Sequence, residues 1–167
     1  AFEGHFRTGD AGAPLYLFGF PDPGTERVEL GVQVPGLLSL LVHGDPGRPV
    51  TGLDRFAPAD RPPVPLPFQA YHLMVAAGMA GIGLTLGAAA LRLRGSLYET
   101  RWLLWIFVGA VVIPVLANQA GWVAAEVGRQ PWVVYGLLRT ADGVSRAVPP
   151  SQVLVSICLF GAVYLGL

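Results

Sequence analysis

Three stretches without a single Asp, Glu, Arg or Lys constrain this chain more than anything else in it: Pro62 to Leu91, Trp102 to Ala125, and Ala147 to Leu167. A helix needs about 20 consecutive apolar residues to cross the hydrocarbon of a bilayer. The first two runs, of 30 and 24 residues, reach that length. Discarding the proline-rich start of the first leaves a spanning helix over 66–91. The second is read as a span over 102–128, because Pro131 disfavours helical geometry at Gln130. The third starts at Pro149-Pro150 and is read as a truncated span over 151–167. The expected fold class is therefore an all-α transmembrane helical bundle with three spans, the last cut short. A long irregular loop (1–65) precedes them, and connections at 92–101 and 129–150 join them.

Composition narrows the function classes. Only 13% of residues are charged against 53% apolar, too few charges to clothe a water-facing globule. All 11 basic residues are Arg and they balance 11 acids, so there is no basic face for nucleic acid, and no nucleic-acid partner is expected. Cys158 is alone, which excludes an internal disulfide and any cysteine-based metal cluster. The chain opens on Ala1 without a signal-peptide pattern and closes inside an apolar run, so it is read as part of something longer.

Residues 1–61 carry 13 of the 22 charges, 8 acidic and 5 basic, broken by Asp22-Pro23-Gly24 and Asp45-Pro46-Gly47 turns. Within them Val34 to Val42 is apolar but too short to span, and is expected to lie along the interface or dock on helices. Arg92, Arg94 and Arg101 against Glu99 make the 92–101 connection basic, which assigns it to the cytoplasmic side and the net-negative 1–65 loop to the outside. The 129–150 loop then also lies outside. Trp102 and Trp105 at the inner end, and Trp122 and Trp132 at the outer end, match the aromatic enrichment of two membrane interfaces.

Few residues offer chemistry. Glu126 is a carboxylate at the end of a span, where charge is expensive unless paired, protonated or bound to a metal. At 100° per residue, Gln119, Trp122, Glu126 and Arg129 fall within an arc of about 80°. That face admits two readings: a local Glu126–Arg129 pair at headgroup level, or a cofactor or ion site with Trp122 against a flat ring. His72 and Met74 lie early in the first span but about 200° apart, so they do not readily ligate one metal together. Met74 packs in an apolar core or ligates; His72 finds a local partner, ligates or transfers a proton. Imidazole and thioether are both ordinary axial ligands of haem iron. Arg139 is expected as a solvated loop charge, and His5 and His43 lack partners at metal spacing.

The stretch NQAGWVAAEVGRQPWVVYGLLRTADGVS, residues 118–145, closely resembles subunit I of the cytochrome bd quinol oxidases, whose segment GWxxxExGRQPW it contains. The pattern fixes eight residues in a window of twelve and joins them to a span of the right length. FQAYHLMVAAG at 68–78 resembles the family helix that carries the methionine ligand of the low-spin haem, and AFEGHF at the start resembles the opening of the periplasmic quinol-binding loop.

The resemblance implies a haem-containing membrane oxidoreductase that oxidises quinol and reduces oxygen to water, in the bacterial cytoplasmic membrane. By resemblance, Met74 ligates haem b558 and Glu126 ligates high-spin haem b595. The resemblance also implies Trp122 beside that haem and Arg129 near haem propionates or the haem's coordinating network. Glu3 is the quinol-loop carboxylate. His72 departs from the family's short form, which has arginine two residues before the methionine; if His72 replaces it, a propionate contact there would be altered and pH-sensitive. The implied cofactors are haem b558, haem b595 and haem d, or a b-type haem in its place. The implied partners are the amino-terminal part of subunit I, subunit II, a small accessory subunit, quinol, oxygen and the lipid bilayer. The segment by itself is not expected to be active. The alternatives are a cofactor-free membrane structural module and a small haem-binding membrane protein.

Overall fold

A computed structural model describes residues 1–145 and 147–166; Arg146, within the expected 129–150 loop, and Leu167, the end of the expected last span, lie outside the described residues. Its elements group into two compact units, residues 1–131 and the residues that follow.

The first unit begins with a segment richer in structure than the irregular loop that its turn formers suggest. β1 (Leu15–Asp22) pairs antiparallel with β2 (Arg27–Val34), and α1 (Leu37–His43) follows. Both Asp-Pro-Gly sequences form the same side-chain turn. Asp22 Oδ1 accepts the Gly24 N–H and Asp45 Oδ1 accepts the Gly47 N–H, each at 2.9 Å. Glu26, at the end of the hairpin turn with φ 53°, meets Arg7 Nε at 3.0 Å and Arg61 Nη1 at 3.4 Å, fastening the turn to the chain on either side. The nine apolar residues around Val34 to Val42 supply α1, whose Leu38 and Ser39 are buried. The Ser39 hydroxyl accepts the Ala13 N–H at 2.7 Å, closing a buried backbone donor that would otherwise be costly.

α2 (Pro65–Leu93) is the first span. Pro65 and Pro67 sit in its first turn, where missing N–H groups cost nothing. It ends in a glycine-terminated cap: Gly95 takes φ 76°, the Ser96 N–H reaches the Leu91 carbonyl at 3.0 Å and the Gly95 N–H reaches the Arg92 carbonyl at 3.0 Å. The second span, expected as one helix over 102–128, is interrupted. α3 (Arg101–Ala110) and α4 (Ile113–Gly128) are separated at Val111 and Val112. Pro114 explains the break, since it has no N–H for the carbonyl of Ala110 and its ring crowds that carbonyl.

α2 packs along α4 and only touches α3. The contact uses small residues, with Ala120 and Ala124 of α4 buried, so that two backbones approach closely. The best-buried side chains lie where the amino-terminal segment meets the start of α2: Phe68 is 0% exposed, with Phe6, Ala13, Leu38 and Val64 also buried. The outer faces of both spans are apolar and open, as lipid or neighbouring helices require.

The second unit contains a small hairpin, β3 (Trp132–Val134) with β4 (Leu138–Arg139), and the apolar α5 (Pro150–Gly166).

Candidate functional site

The hairpin is fastened to the first turns of α2 by two polar side chains one helical turn apart. Gln69 Nε2 donates to the Gly19 carbonyl at 2.7 Å. His72 Nε2 faces the Tyr16 carbonyl and its Nδ1 faces the Phe68 carbonyl, both at 2.8 Å. The His72 ring also stacks on Phe68 at 4.0 Å between centroids. The imidazole thus ties a strand to a helix, while Met74, two residues on, points elsewhere.

Glu3 lies on this seam. With Tyr16, Leu41, Tyr71 and His72 it lines a cleft of about 170 Å³. Its Oε2 is buried with no hydrogen-bond partner, and the Tyr71 side chain lines the same cleft. Burial pushes this carboxyl above the usual carboxylate range, against the opposing effects of His72, Tyr71 and the Ala1 amino group. Such a carboxyl takes up a proton more readily than a solvated one. The neighbouring Phe2 is a wedge. One side of its ring stacks on Tyr71, with centroids 5.5 Å apart and an interplanar angle of 25°. Its edge lies so close to Gly128 that a Cβ there would stand 2.5 Å from the ring. Glu3 is thereby held next to both α2 and the end of α4.

A second constellation lies on α4. Met74 reaches across from α2, its thioether against Gly121, where a Cβ would stand 2.6 Å from Sδ. Trp122, Glu126 and Arg129 share the side of α4 turned away from the buried Ala120 and Ala124. Trp122 is 64% exposed. Glu126 Oε1 stands 3.8 Å from Arg129 Nη2, with both side chains about half exposed. A pair so long and so exposed stabilises little, which leaves the carboxylate available to a further partner.

The donor chemistry discriminates among the metals this face suits. Among the described residues no three His, Cys, Asp or Glu gather into one cluster. A porphyrin asks the protein only for axial donors, and a thioether on one side of α4 with a carboxylate on the other fits that demand. In the second unit the Arg139 guanidinium lies 4.7 Å over the Trp132 ring and Tyr135 meets that ring at 5.5 Å, so the expected solvated charge is stacked instead.

The family profile of cytochrome bd terminal oxidase subunit I matches residues 1–167. This chain belongs to that family. Cytochrome bd ubiquinol oxidase subunit 1 of Bacillus subtilis (strain 168) is 35% identical over 167 residues, covering 93% of this chain and 36% of that protein. Cytochrome bd-II ubiquinol oxidase subunit 1 of Escherichia coli (strain K12) is 24% identical, covering 98% of this chain and 44% of its own length. The bd oxidase structure from Geobacillus thermodenitrificans superposes with a TM-score of 0.72 at 34% identity, over 98% of this chain and 37% of that one. The chain thus spans well under half the length of these relatives. Family membership and two membrane-crossing helices make it a multi-pass segment of a bacterial membrane oxidase subunit.

The sequence-derived site residues fall into separate groups. Glu3 and His72 come together, Trp122, Glu126 and Arg129 share a face, and Met74 stands on the other flank of α4. Phe2, Gln69 and Tyr71 escaped the sequence reading. Gln69 and His72 carried a signal nonetheless, as polar residues at a helical spacing within a run otherwise almost wholly apolar.

Proposed function

We propose that this segment supplies the quinol-loop carboxylate and two haem ligands of a membrane quinol:oxygen oxidoreductase. Residues 1–65 lie on the periplasmic side, the 92–101 connection on the cytoplasmic side, and residues 129–150 return to the periplasmic side. Met74 would hold the low-spin haem and Glu126 a high-spin haem, with Trp122 and Arg129 contributing to the second site. His72, engaged with backbone carbonyls, keeps the loop on α2 beside the first of these. The haems, b-type with haem d or a further b-type haem at the oxygen site, supply the electron transfer and oxygen reduction. The partners are the amino-terminal part of subunit I, subunit II, a small accessory subunit, quinol, oxygen and lipid.

The single observation that carries the reading is the seating of Phe2 and Glu3 between the helix bearing Met74 and the end of the helix bearing Glu126. A quinol ring arriving at that cleft meets a buried carboxyl suited to accept a hydroxyl proton, next to both helices that carry the ligands. Oxygen uptake by the full-length subunit in its complex, driven by a soluble quinol, tests it. Glu3→Gln should lower the rate by about a hundredfold, within the range for a lost acid–base group, while dithionite still reduces every haem. An unchanged quinol-driven rate would overturn the assignment.

A further inference from the structure

We propose that α1 and the adjoining end of the β1–β2 hairpin are immersed in the acyl-chain boundary of the bilayer beside the Pro65 end of α2, with phospholipid chains covering the exposed Leu40, Leu41 and Val42.

Charge divides the hairpin lengthwise. Residues 11–21 and 30–44 contain no Asp, Glu, Arg or Lys, whereas the turn between them holds Asp22, Glu26, Arg27 and Glu29. The register pairs Leu15 with Val34 at the charge-free end and Asp22 with Arg27 at the charged end. Two contacts fix how the hairpin stands against α2. The Tyr16 carbonyl faces His72 Nε2 at 2.8 Å and the Gly19 carbonyl accepts from Gln69 Nε2 at 2.7 Å, so β1 climbs toward the Pro65 end of the helix as it approaches the charged turn. The charge-free end, and with it α1, which starts three residues after Val34, lies at the deeper level.

The helix sets that level. About 20 residues cover the hydrocarbon of a bilayer, and counting back from Leu91, the last residue before Arg92, puts His72 at its boundary. At a rise of 1.5 Å per residue, Val75 and Ala76 then lie about 5 Å inside it. Leu17 of β1 and Leu41 of α1 line the same small cleft as those two residues, which brings them to the same depth. Leu40, Leu41 and Val42 are exposed on α1 and continue the exposed apolar side of α2 at Leu73 and Val75. In water such a patch would be costly; at the acyl boundary it is the apolar face of an interfacial helix. Lipid cannot satisfy a backbone carbonyl, and on the edge of β1 beside α2 the side chains of His72 and Gln69 do so instead. The Glu3 cleft, bordered by Leu17 and Leu41, then opens at acyl-chain level, so a ring dissolved in the bilayer reaches it without crossing water. That consequence for quinol rests on the reading of Glu3 as the quinol-loop carboxylate; the immersion itself does not.

The test is the accessibility of a nitroxide spin label on the intact complex in phosphatidylcholine vesicles, without quinol. The label is attached at Leu41→Cys on α1 or at Arg27→Cys beside the charged turn, and the signal of the complex lacking the introduced cysteine is subtracted. Oxygen concentrates in hydrocarbon, while a water-soluble nickel chelate is excluded from it. The ratio of oxygen to nickel collisions should be several-fold higher at 41 than at 27, with oxygen dominating at the first and nickel at the second. An unaltered haem difference spectrum in both labelled complexes shows that they are assembled. Nickel-dominated relaxation at both positions overturns the proposal, because α1 would then stand in water. A label at 41 shielded from both reagents also overturns it, since another protein segment would then cover the face. Oxygen-dominated relaxation at both positions does so too, because the charged turn would not then stand clear of the bilayer. An unchanged quinol-driven rate in Glu3→Gln would remove the consequence for quinol entry and leave the label result, and the immersion it reads, in place.

Discussion

Replacing Gly128 by alanine should damage quinol oxidation by displacing Phe2, the neighbour of Glu3. The new Cβ would lie 2.5 Å from Phe2 Cε1 and 2.9 Å from Cζ, where ordinary contact begins near 3.4 Å. The ring must withdraw by about 0.9 Å, and overpacking of that kind costs about 1–3 kcal/mol. Displacing the ring disturbs its stack on Tyr71, itself worth about 0.5–1.5 kcal/mol. Because Glu3 is the next residue, a loss of about 1.4 kcal/mol in seating the segment appears as a roughly tenfold lower kcat/KM for quinol. The assay is a double-mutant cycle on the intact complex with Gly128→Ala, Phe2→Ala and the pair. With the phenyl ring gone, alanine at 128 meets no ring and even favours the helix by up to about 1 kcal/mol, so its penalty should vanish. Strict additivity of the two changes would refute the wedge, as would a Gly128→Ala enzyme with unaltered quinol kinetics.

Two further substitutions address the loop. Ser39→Ala leaves the buried Ala13 N–H without its 2.7 Å acceptor and should destabilise the α1 attachment by about 1–3 kcal/mol, seen as faster amide exchange around residues 13 and 36–43 with the haem spectra unchanged. Asp54 is held below the usual carboxylate range chiefly by the Thr8 hydroxyl at 2.8 Å, then by the Thr8 N–H at 2.9 Å. A carboxyl depressed in the folded state stabilises it above the unfolded-state pKa and loses that contribution as pH falls through the folded value. Exchange at residues 5–8 should therefore accelerate on acidification below the ordinary aspartate range, and Asp54→Asn should abolish that acid dependence.

The spans were legible because hydrocarbon imposes length and charge exclusion on sequence directly. The expected 66–91 helix differs from Pro65–Leu93 by end residues alone, with Arg92 and Gly95 marking its cap. The break at Val111–Val112 was equally written, in Pro114, but an apolar run long enough to span hides a proline that hydropathy does not register. The hairpin was obscured for a different reason. β1 and β2 leave Phe18, Phe20, Leu30 and Val32 exposed, so they lack the alternation of a half-buried sheet, and Glu26 and Leu30 take positive φ without being glycine. On the site, the grouping of Trp122, Glu126 and Arg129 followed from helix geometry, because all three ride one element. The seating of Glu3 did not, since Phe2 and Tyr71 are almost 70 residues apart and only the folded chain brings their rings together.

The central claim, that Met74 and Glu126 each hold an iron, is tested most directly by reduced-minus-oxidised difference spectra of the assembled complex carrying Met74→Leu or Glu126→Gln. Selective loss of the low-spin b signal in the first and of the high-spin b signal in the second is the result the donor geometry predicts. Spectra identical to wild type in both would contradict it.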